Sequence, residues 1–502
     1  MRAEAPPLEA LARLVLEIDE SVKDPVSVAL ILEVLGLTDE EAGKLGYRDV
    51  FDLAKAVYNI VISYSIPNSP PRLAAERPKP SFKLTLSGLL YGVPWILAPL
   101  TLIVLGLPLW YAPKVSAQAY PAVIFANLLS LVASNGLTTL LVRRMLFYLS
   151  QGLSRVAFSL LKKYYLYSPL YLLSTTPLYL LVMSMTADSY RTLTLGAFLY
   201  LAFSFLWLSL APVYALGKYH VVAALYAAFT IGVTASLMLG LVKLSLLLEG
   251  VGAIILSVSF SLYTLTYFYM RLKIGLPPRP PLNLKITKIL REGLPYYFAG
   301  MLYFTLVVLD RAMVYLLDRN IYLTYESSAD ASLVAMALGY AVLNYLTHHL
   351  NYELNRLSEG LEIKDYEVYV NKAVREYILS IVRTLLGGLT SCGLLAFLLV
   401  LVKTPLIDRG LAMMYSLGNL ALLLYLFNSS IISLVNRPMY LVTSLSLSVT
   451  LHLFTSLLLI RPLGFCGPLI GYLASSVVLA LVTTCISFRI MKEHVSYVLS
   501  SI

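Results

Sequence analysis

Apolar runs of about twenty residues, separated by short polar gaps, recur from Leu86 almost to the end of the chain. An α-helix of that length just crosses the roughly 30 Å hydrocarbon core of a bilayer. Within lipid each segment must satisfy its own backbone hydrogen bonds, which admits only helices or a closed barrel. A barrel needs alternating strands of about ten residues, and the sequence contains none. With 59% hydrophobic and only 13% charged residues, the chain lies far outside the soluble range. The sequence therefore predicts an all-α polytopic membrane protein.

Twelve spans are expected. Leu86–Leu109, Tyr120–Leu141, Tyr167–Ala187, Leu193–Ala215, Val221–Leu241 and Gly250–Met270 form a first set. Leu294–Leu317, Ser332–Leu354, Ile378–Val402, Leu411–Val435, Met439–Ile460 and Gly467–Phe488 form a second. Ser87-Gly88-Leu89 ahead of Tyr91 matches Glu292-Gly293-Leu294 ahead of Tyr296, and Val251-Gly252-Ala253 matches Cys466-Gly467-Pro468 at a similar offset. These echoes predict two six-helix lobes, at 86–270 and 294–488, joined by a basic connector at 271–293 and followed by a tail at 489–502.

Ahead of the spans, Met1 to Ile60 carries 12 acids and 6 bases, whereas the whole chain has a net charge of +10. Apolar residues at helical spacing in Leu8–Leu16 and Val26–Leu35, with a helix start at Thr38-Asp39, predict a small acidic helical domain over 1–65. It reads as a docking module, tethered by the Pro-rich basic linker 66–85. No apolar segment early enough for a cleavable signal peptide is present, so the first span is expected to act as the targeting signal. With the N-terminus inside, 23 bases flank the spans on the cytoplasmic side and seven on the outside, which predicts a cell-membrane protein with both termini in the cytoplasm.

The residues that chemistry would use are few. Asp310 and Arg311 sit within the seventh span, where ionisable groups are costly and face a partner or a watery cavity. Asp310 shares a helix face with Tyr303, and neighbouring residues point apart, so the two charges need separate partners. The competing reading is that both merely snorkel to the outer interface. Asn344, His348, Asn351 and Asn355 form a polar face at the end of the eighth span, with His349 and Glu353 on the neighbouring one. Asn127, Ser130, Ser134 and Thr138 form a polar stripe on the second span, which either lines a cavity or cements helix packing. Pro94 and Pro99 bend the first span. The cysteines Cys392, Cys466 and Cys485 lack metal-ligand spacing and read as packing residues. No metal, cofactor or nucleic-acid site is expected.

The stretches Gly88 to Trp95, Gly300-Met-Leu-Tyr-Phe with Leu309-Asp310-Arg311, and Asp330-Ala331 through Asn351-Tyr-Glu353 resemble the Pel exopolysaccharide transporter (PelG) family of the multidrug, oligosaccharidyl-lipid and polysaccharide (MOP) superfamily. The similarity runs from about Ser81 to the C-terminus, leaving the acidic domain outside it. The family pattern has Lys where Arg311 stands and an acid where Phe147 stands. The resemblance implies a MATE-like two-lobed exporter that alternates access around a central cavity. It also implies work beside a cytoplasmic glycosyltransferase and other exopolysaccharide synthesis subunits.

Three functions are weighed. The first is a flippase for a polysaccharide or lipid-linked oligosaccharide, with Arg311 and Arg383 holding anionic groups and membrane lipids around it. The second is an ion-coupled multidrug or organic-cation antiporter using Asp310; an excess of membrane-deep acids would favour it, and within the expected spans bases equal or exceed acids. The third is a polyprenyl-dependent membrane glycosyltransferase or a non-transporting scaffold. The loop Tyr111 to Ala119 carries no acid, and neither a DxD pair nor a Walker motif occurs, so no enzyme is expected. The lysine and arginine bias makes a topological prediction: cysteines introduced between Arg271 and Glu292 react only with reagents admitted to the cytoplasm. Labelling from outside intact cells would reverse the orientation.

Overall fold

The computed structural model describes residues 8–18, 22, 24–35, 37, 39–64, 82–106, 120–151, 153–184, 190–273, 286–358, 366–402 and 404–493, all helices and short turns. Four short helices come first: α1 (Leu8–Ile18), α2 (Pro25–Val34), α3 (Asp39–Lys44) and α4 (Val50–Tyr64). Twelve long ones follow: α5 (Phe82–Leu105), α6 (Tyr120–Ser150), α7 (Ser154–Ser184), α8 (Tyr190–Ala215), α9 (Tyr219–Met238), α10 (Val242–Lys273), α11 (Ile286–Leu317), α12 (Arg319–Ser358), α13 (Tyr366–Leu401), α14 (Arg409–Leu434), α15 (Met439–Leu463) and α16 (Cys466–Lys492). Each of these twelve is long and apolar enough to cross a bilayer. The chain is a multi-pass, all-α membrane protein.

Each expected span has its own helix, but the ends differ. Gly106, at φ +65, closes α5 short of Leu109, and the helix starts at Phe82, inside the expected linker. The rest of the linker, the Tyr111 to Ala119 loop and most of the connector lie outside the described residues. More consequential is α12, which begins at Arg319 and so takes in Glu326 and Asp330, placed ahead of the eighth span by hydropathy. Similarly, α10 begins before Gly250 and takes in Glu249. Hydropathy penalises each acid as if it were exposed to lipid, whereas these three are buried in protein.

Two compact units emerge from the contacts. One comprises Met1–Glu76, Leu140–Tyr171 and Ser261–Leu294. In its N-terminal part Leu11, Ala12 and Val15 of α1, Val28, Ile31 and Leu32 of α2, and Leu53, Ala54 and Val57 of α4 recur every three or four residues and are buried. The N-cap Asp24 precedes Pro25 and accepts the Ser27 N–H at 2.8 Å. Asp49 accepts the Asp52 N–H at 2.8 Å, and that backbone bond holds its carboxyl below the usual range. Further along the unit, Arg144 pairs with Glu292 at 2.8 Å, and the Tyr165 and Thr264 hydroxyls bond at 2.8 Å. Charge is divided within it: Leu140–Tyr171 has five bases and no acid, against 13 acids and 7 bases in Met1–Glu76.

The second unit is Arg77–Thr139, Leu172–Phe260 and Pro295–Ile502. Here α5 lies along α12, and small residues let the backbones approach. A Cβ added to Gly88 would stand 2.8 Å from Ala341 Cα and 3.0 Å from Asn344 Cβ. Beside it Asn344 donates to the Leu84 carbonyl at 2.8 Å and to Ser87 Oγ at 3.1 Å. Farther along, Leu102 and Ile103 of α5 meet Ala331, Val334 and Ala335 of α12, Leu395 of α13 and Ala412 of α14 in one buried cluster. Overpacking the glycine contact should cost about 1–3 kcal/mol. Gly88→Val is therefore expected to lower the unfolding temperature in detergent, while Gly393→Ala, with nothing within 4 Å of the new methyl, leaves it unchanged. Equal stability of the two variants would refute the tight α5 and α12 contact.

Candidate functional site

The break between α11 and α12 is a single residue, Asp318, whose side chain accepts the Asn320 N–H at 2.9 Å. The chain reverses there, so α12 returns beside the last turns of α11. Residues 15 and 19 positions apart meet across this hairpin: Arg311 Nη1 donates to Glu326 Oε1 at 2.7 Å and to Asp330 Oδ1 at 3.0 Å. Glu326 and Asp330 are four residues apart and so share one face of α12. Tyr322, one turn earlier, donates to the other Glu326 oxygen at 3.1 Å.

Asp310 turns the other way, as adjacency on a helix requires. Its Oδ2 accepts the hydroxyls of Tyr325, at 2.9 Å, and of Tyr415 from α14. Its Oδ1 has no hydrogen-bond partner among the described residues. Asp310 is 0% exposed and Arg311 7%, so neither snorkels to an interface. A polar chain continues from Tyr415, whose ring tilts on Tyr472 at 5.3 Å. Tyr472 donates to Asn419 Oδ1 at 2.7 Å, and Asn419 donates to Ser332 Oγ at 2.8 Å. The buried His452 lies against Tyr472 at 6.1 Å.

Among the described residues the buried charges are Glu249, Asp310, Arg311, Glu326 and Asp330, four acids and one base. This corrects the sequence balance between acids and bases, since three of the four acids lay at or beyond expected span ends. Arg311 is held by two carboxylates and is not a free anion site. Arg383 is no part of the cluster: it is exposed on α13 beside the exposed Val382 and Leu386, an apolar face on which a long cationic side chain can snorkel.

Beside the cluster lies a cavity of about 50 Å³, lined by Pro94, Trp95 and Pro99 of α5, Asn127 of α6, Trp207 of α8, Tyr226 of α9, and Arg311 and Asp330. Such a volume holds on the order of a few waters. Trp95 and Trp207 stack at 5.2 Å and 6°. One turn before Trp95, Tyr91 stacks on Tyr340 of α12 at 4.5 Å and touches Tyr214 and Tyr219 at 4.6 and 5.8 Å. These four rings fill the space between α5, α8, α9 and α12.

The other residues read from the sequence are dispersed. Asn127 alone of its stripe lines the cavity, and its Oδ1 is unpartnered. Ser134 spends its hydroxyl on the Ser130 carbonyl at 2.6 Å, and Ser130 Oγ receives Trp207 Nε1 at 3.2 Å. Tyr303 stacks on Tyr425 at 5.6 Å. Asn344 serves the α5 contact, His348 is exposed, His349 stacks on Tyr345, and Glu353 pairs with Arg356 at 2.7 Å. The sequence reading missed Glu326, Asp330, Tyr325 and Tyr415. Two acids at i, i+4 just after a span that carries an arginine near its end are the signal that points to the first pair.

Removing the guanidinium would leave two buried carboxylates without a counter-charge, a loss of about 3–5 kcal/mol. Arg311→Met is therefore expected to lose most of its folded yield. Arg311→Met combined with Glu326→Gln and Asp330→Asn should regain it, as measured by thermal unfolding in detergent. A single variant as stable as the wild type would show the cluster to be energetically idle.

No protein-family profile matches the sequence, and no curated protein does. Solved structures do match in fold. A mutant of the Vibrio cholerae MATE transporter VcmN superposes with a TM-score of 0.56 at 13% identity, over 81% of this chain and 95% of that one. A MATE in the straight conformation gives 0.55 at 12%, over 82% and 96%. An outward-facing multidrug resistance MATE family transporter of the MOP superfamily gives 0.51 at 12%, over 85% and 99%. The chain has the twelve-helix fold of the MATE transporters of the MOP superfamily.

Proposed function

We propose that the protein is a cation-coupled exporter that alternates access between two six-helix lobes, with the Asp310 and Arg311 cluster as its coupling centre. The observation that carries this reading is the excess of buried acid: two carboxylates hold one guanidinium, the adjacent Asp310 is buried facing the other way, and one of its oxygens has no hydrogen-bond partner among the described residues. A protein interior does not tolerate uncompensated charge, so a proton or small cation completes the centre, and its arrival or departure changes how α11, α12 and α14 hold together. The fold shared with MATE transporters supports the rocking motion, and the tyrosine plug at Tyr91 and Tyr340 supplies a closable end for the cavity.

The cargo we favour is a polysaccharide or lipid-linked oligosaccharide, on the strength of the resemblance around Gly88 to Trp95 and Leu309 to Arg311. In that setting it works in the cell membrane, termini inside, beside a cytoplasmic glycosyltransferase and other synthesis subunits. A second reading, an organic-cation antiporter, is favoured by Asp330 and the stacked Trp95 and Trp207 at the cavity, since aromatic faces and a carboxylate suit a cation.

Proteoliposomes with an imposed proton or sodium gradient decide between these readings. Gradient-driven movement of a fluorescent lipid-linked oligosaccharide supports the first, and of an organic dye cation the second. Asp310→Asn keeps the shape and removes the charge, and is expected to abolish gradient-driven flux per inserted molecule, with Asp310→Glu retaining part. Full flux in Asp310→Asn would overturn the coupling role.

A further inference from the structure

The helices α6, α7, α10 and α11 are 31, 31, 32 and 32 residues long. At about 1.5 Å per residue each measures roughly 46–48 Å, so about 16 Å of each extends past a hydrocarbon core of roughly 30 Å. The ends that join α6 to α7 and α10 to α11 are an even number of spans apart and so lie on the same side. These ends, Leu140–Tyr171 and Ser261–Leu294, share one compact unit with the N-terminal helices. They carry eleven bases and a single acid, Glu292, whereas Met1–Glu76 carries 13 acids and 7 bases. A helical hairpin whose tip stands in water should expose that tip. Here Leu153, between α6 and α7, is 3% exposed, and Val156 and Ala157 just after it are fully buried. Phe268 of α10 covers one side, stacking on Phe158 at 5.5 Å, and the N-terminal helices complete the unit.

Tyr148, on the last turn of α6, marks where the parts meet. Arg144 of its own helix, Glu292 of α11 and the exposed Glu33 of α2 all lie within electrostatic reach of its hydroxyl. Arg144 Nη2 holds Glu292 at 2.8 Å, while its Nε is buried and has no hydrogen-bond partner among the described residues. A second carboxylate thus comes to a neighbourhood that has a guanidinium donor to spare. The Arg144 pair joins α6, of the first six spans, to α11, of the second six. Beside it, a Cβ on Gly293 would stand 2.9 Å from Leu140 Cγ. Whatever steadies this junction steadies one half of the spans against the other. We propose that the N-terminal helical domain is a releasable clamp: seated by charge on the basic ends of α6, α7, α10 and α11, it holds α6 to α11, and this side of the molecule opens only when it is displaced. The seating stands on the charges and the burial, and the braking of transport rests on the exporter reading above. Release is ionic, since a partner with a basic surface competes for the acids of the domain as salt does.

Hydrogen exchange of the full chain in detergent reads the seating without any transport, in a version whose linker, between Ser65 and Phe82, carries a protease site. Uncut and in dilute salt, the turn around Leu153 is expected to be protected. In about 0.5 M salt, in Glu33→Lys, or once the cut domain is washed away, its exchange should rise about tenfold. The junction of Leu140 to Arg144 with Glu292 to Tyr296 should loosen with it. Free exchange at Leu153 in the uncut chain, or protection that survives removal of the domain, would overturn the seating. A junction that exchanges no faster without the domain would overturn the clamp. In proteoliposomes, cutting and washing should raise gradient-driven flux severalfold, and unchanged flux would reject the brake. No flux from either form would count against the exporter reading itself, with the clamp then decided by exchange alone.

Discussion

The guanidinium of Arg311, gripped by Glu326 at 2.7 Å and Asp330 at 3.0 Å, fixes the local architecture. Charges buried in a poorly polarisable interior interact strongly, and each pays a large desolvation cost unless partnered. The grip holds the first three turns of α12 against the end of α11. Adjacency on the helix turns Asp310 away from Arg311 and toward Tyr325 and Tyr415, which ties α14 to the same hairpin. A polar centre so deep in an apolar molecule holds two helices and a third in a single register.

Much of the fold was legible in the sequence because lipid makes hydropathy nearly sufficient: every apolar run found its helix. The ends were not, because hydropathy windows assume that an acid faces solvent or lipid. Glu326 and Asp330 violate that assumption by pairing with Arg311, and Glu249 violates it with no ion pair among the described residues. Asp310 was legible because nothing else charged surrounds it on its own helix apart from its neighbour. Tyr325 and Tyr415 were not, since 37 tyrosines in the chain give no reason to choose two. The polar stripe of α6 shows the opposite limit, because Ser134 and Asn127 share a helix face in the sequence and yet one serves the backbone and the other the cavity.

Size limits what the cavity can hold. A space of about 50 Å³ suits a few waters and is smaller than a sugar ring or an organic cation. Beside it the rings of Tyr91, Tyr214, Tyr219 and Tyr340 pack against one another. Widening this space would mean parting α5 and α6 from α11 and α12.

Those helices meet where side chains are missing. Gly88 and Gly92 of α5 face Ala341 and Ala337 of α12, Gly136 of α6 lies under the ring of Tyr297, and Gly300 of α11 presses on Asn135 and Thr139. Contacts of this kind are held by dispersion between closely fitted surfaces, and a gap of 0.5–1 Å already forfeits about a quarter to a half of that attraction. Long side chains would stretch and follow a retreating partner; bare backbone cannot. A seam built this way has almost no elastic range, so it behaves like a latch, holding at full strength until it lets go and offering little resistance afterwards.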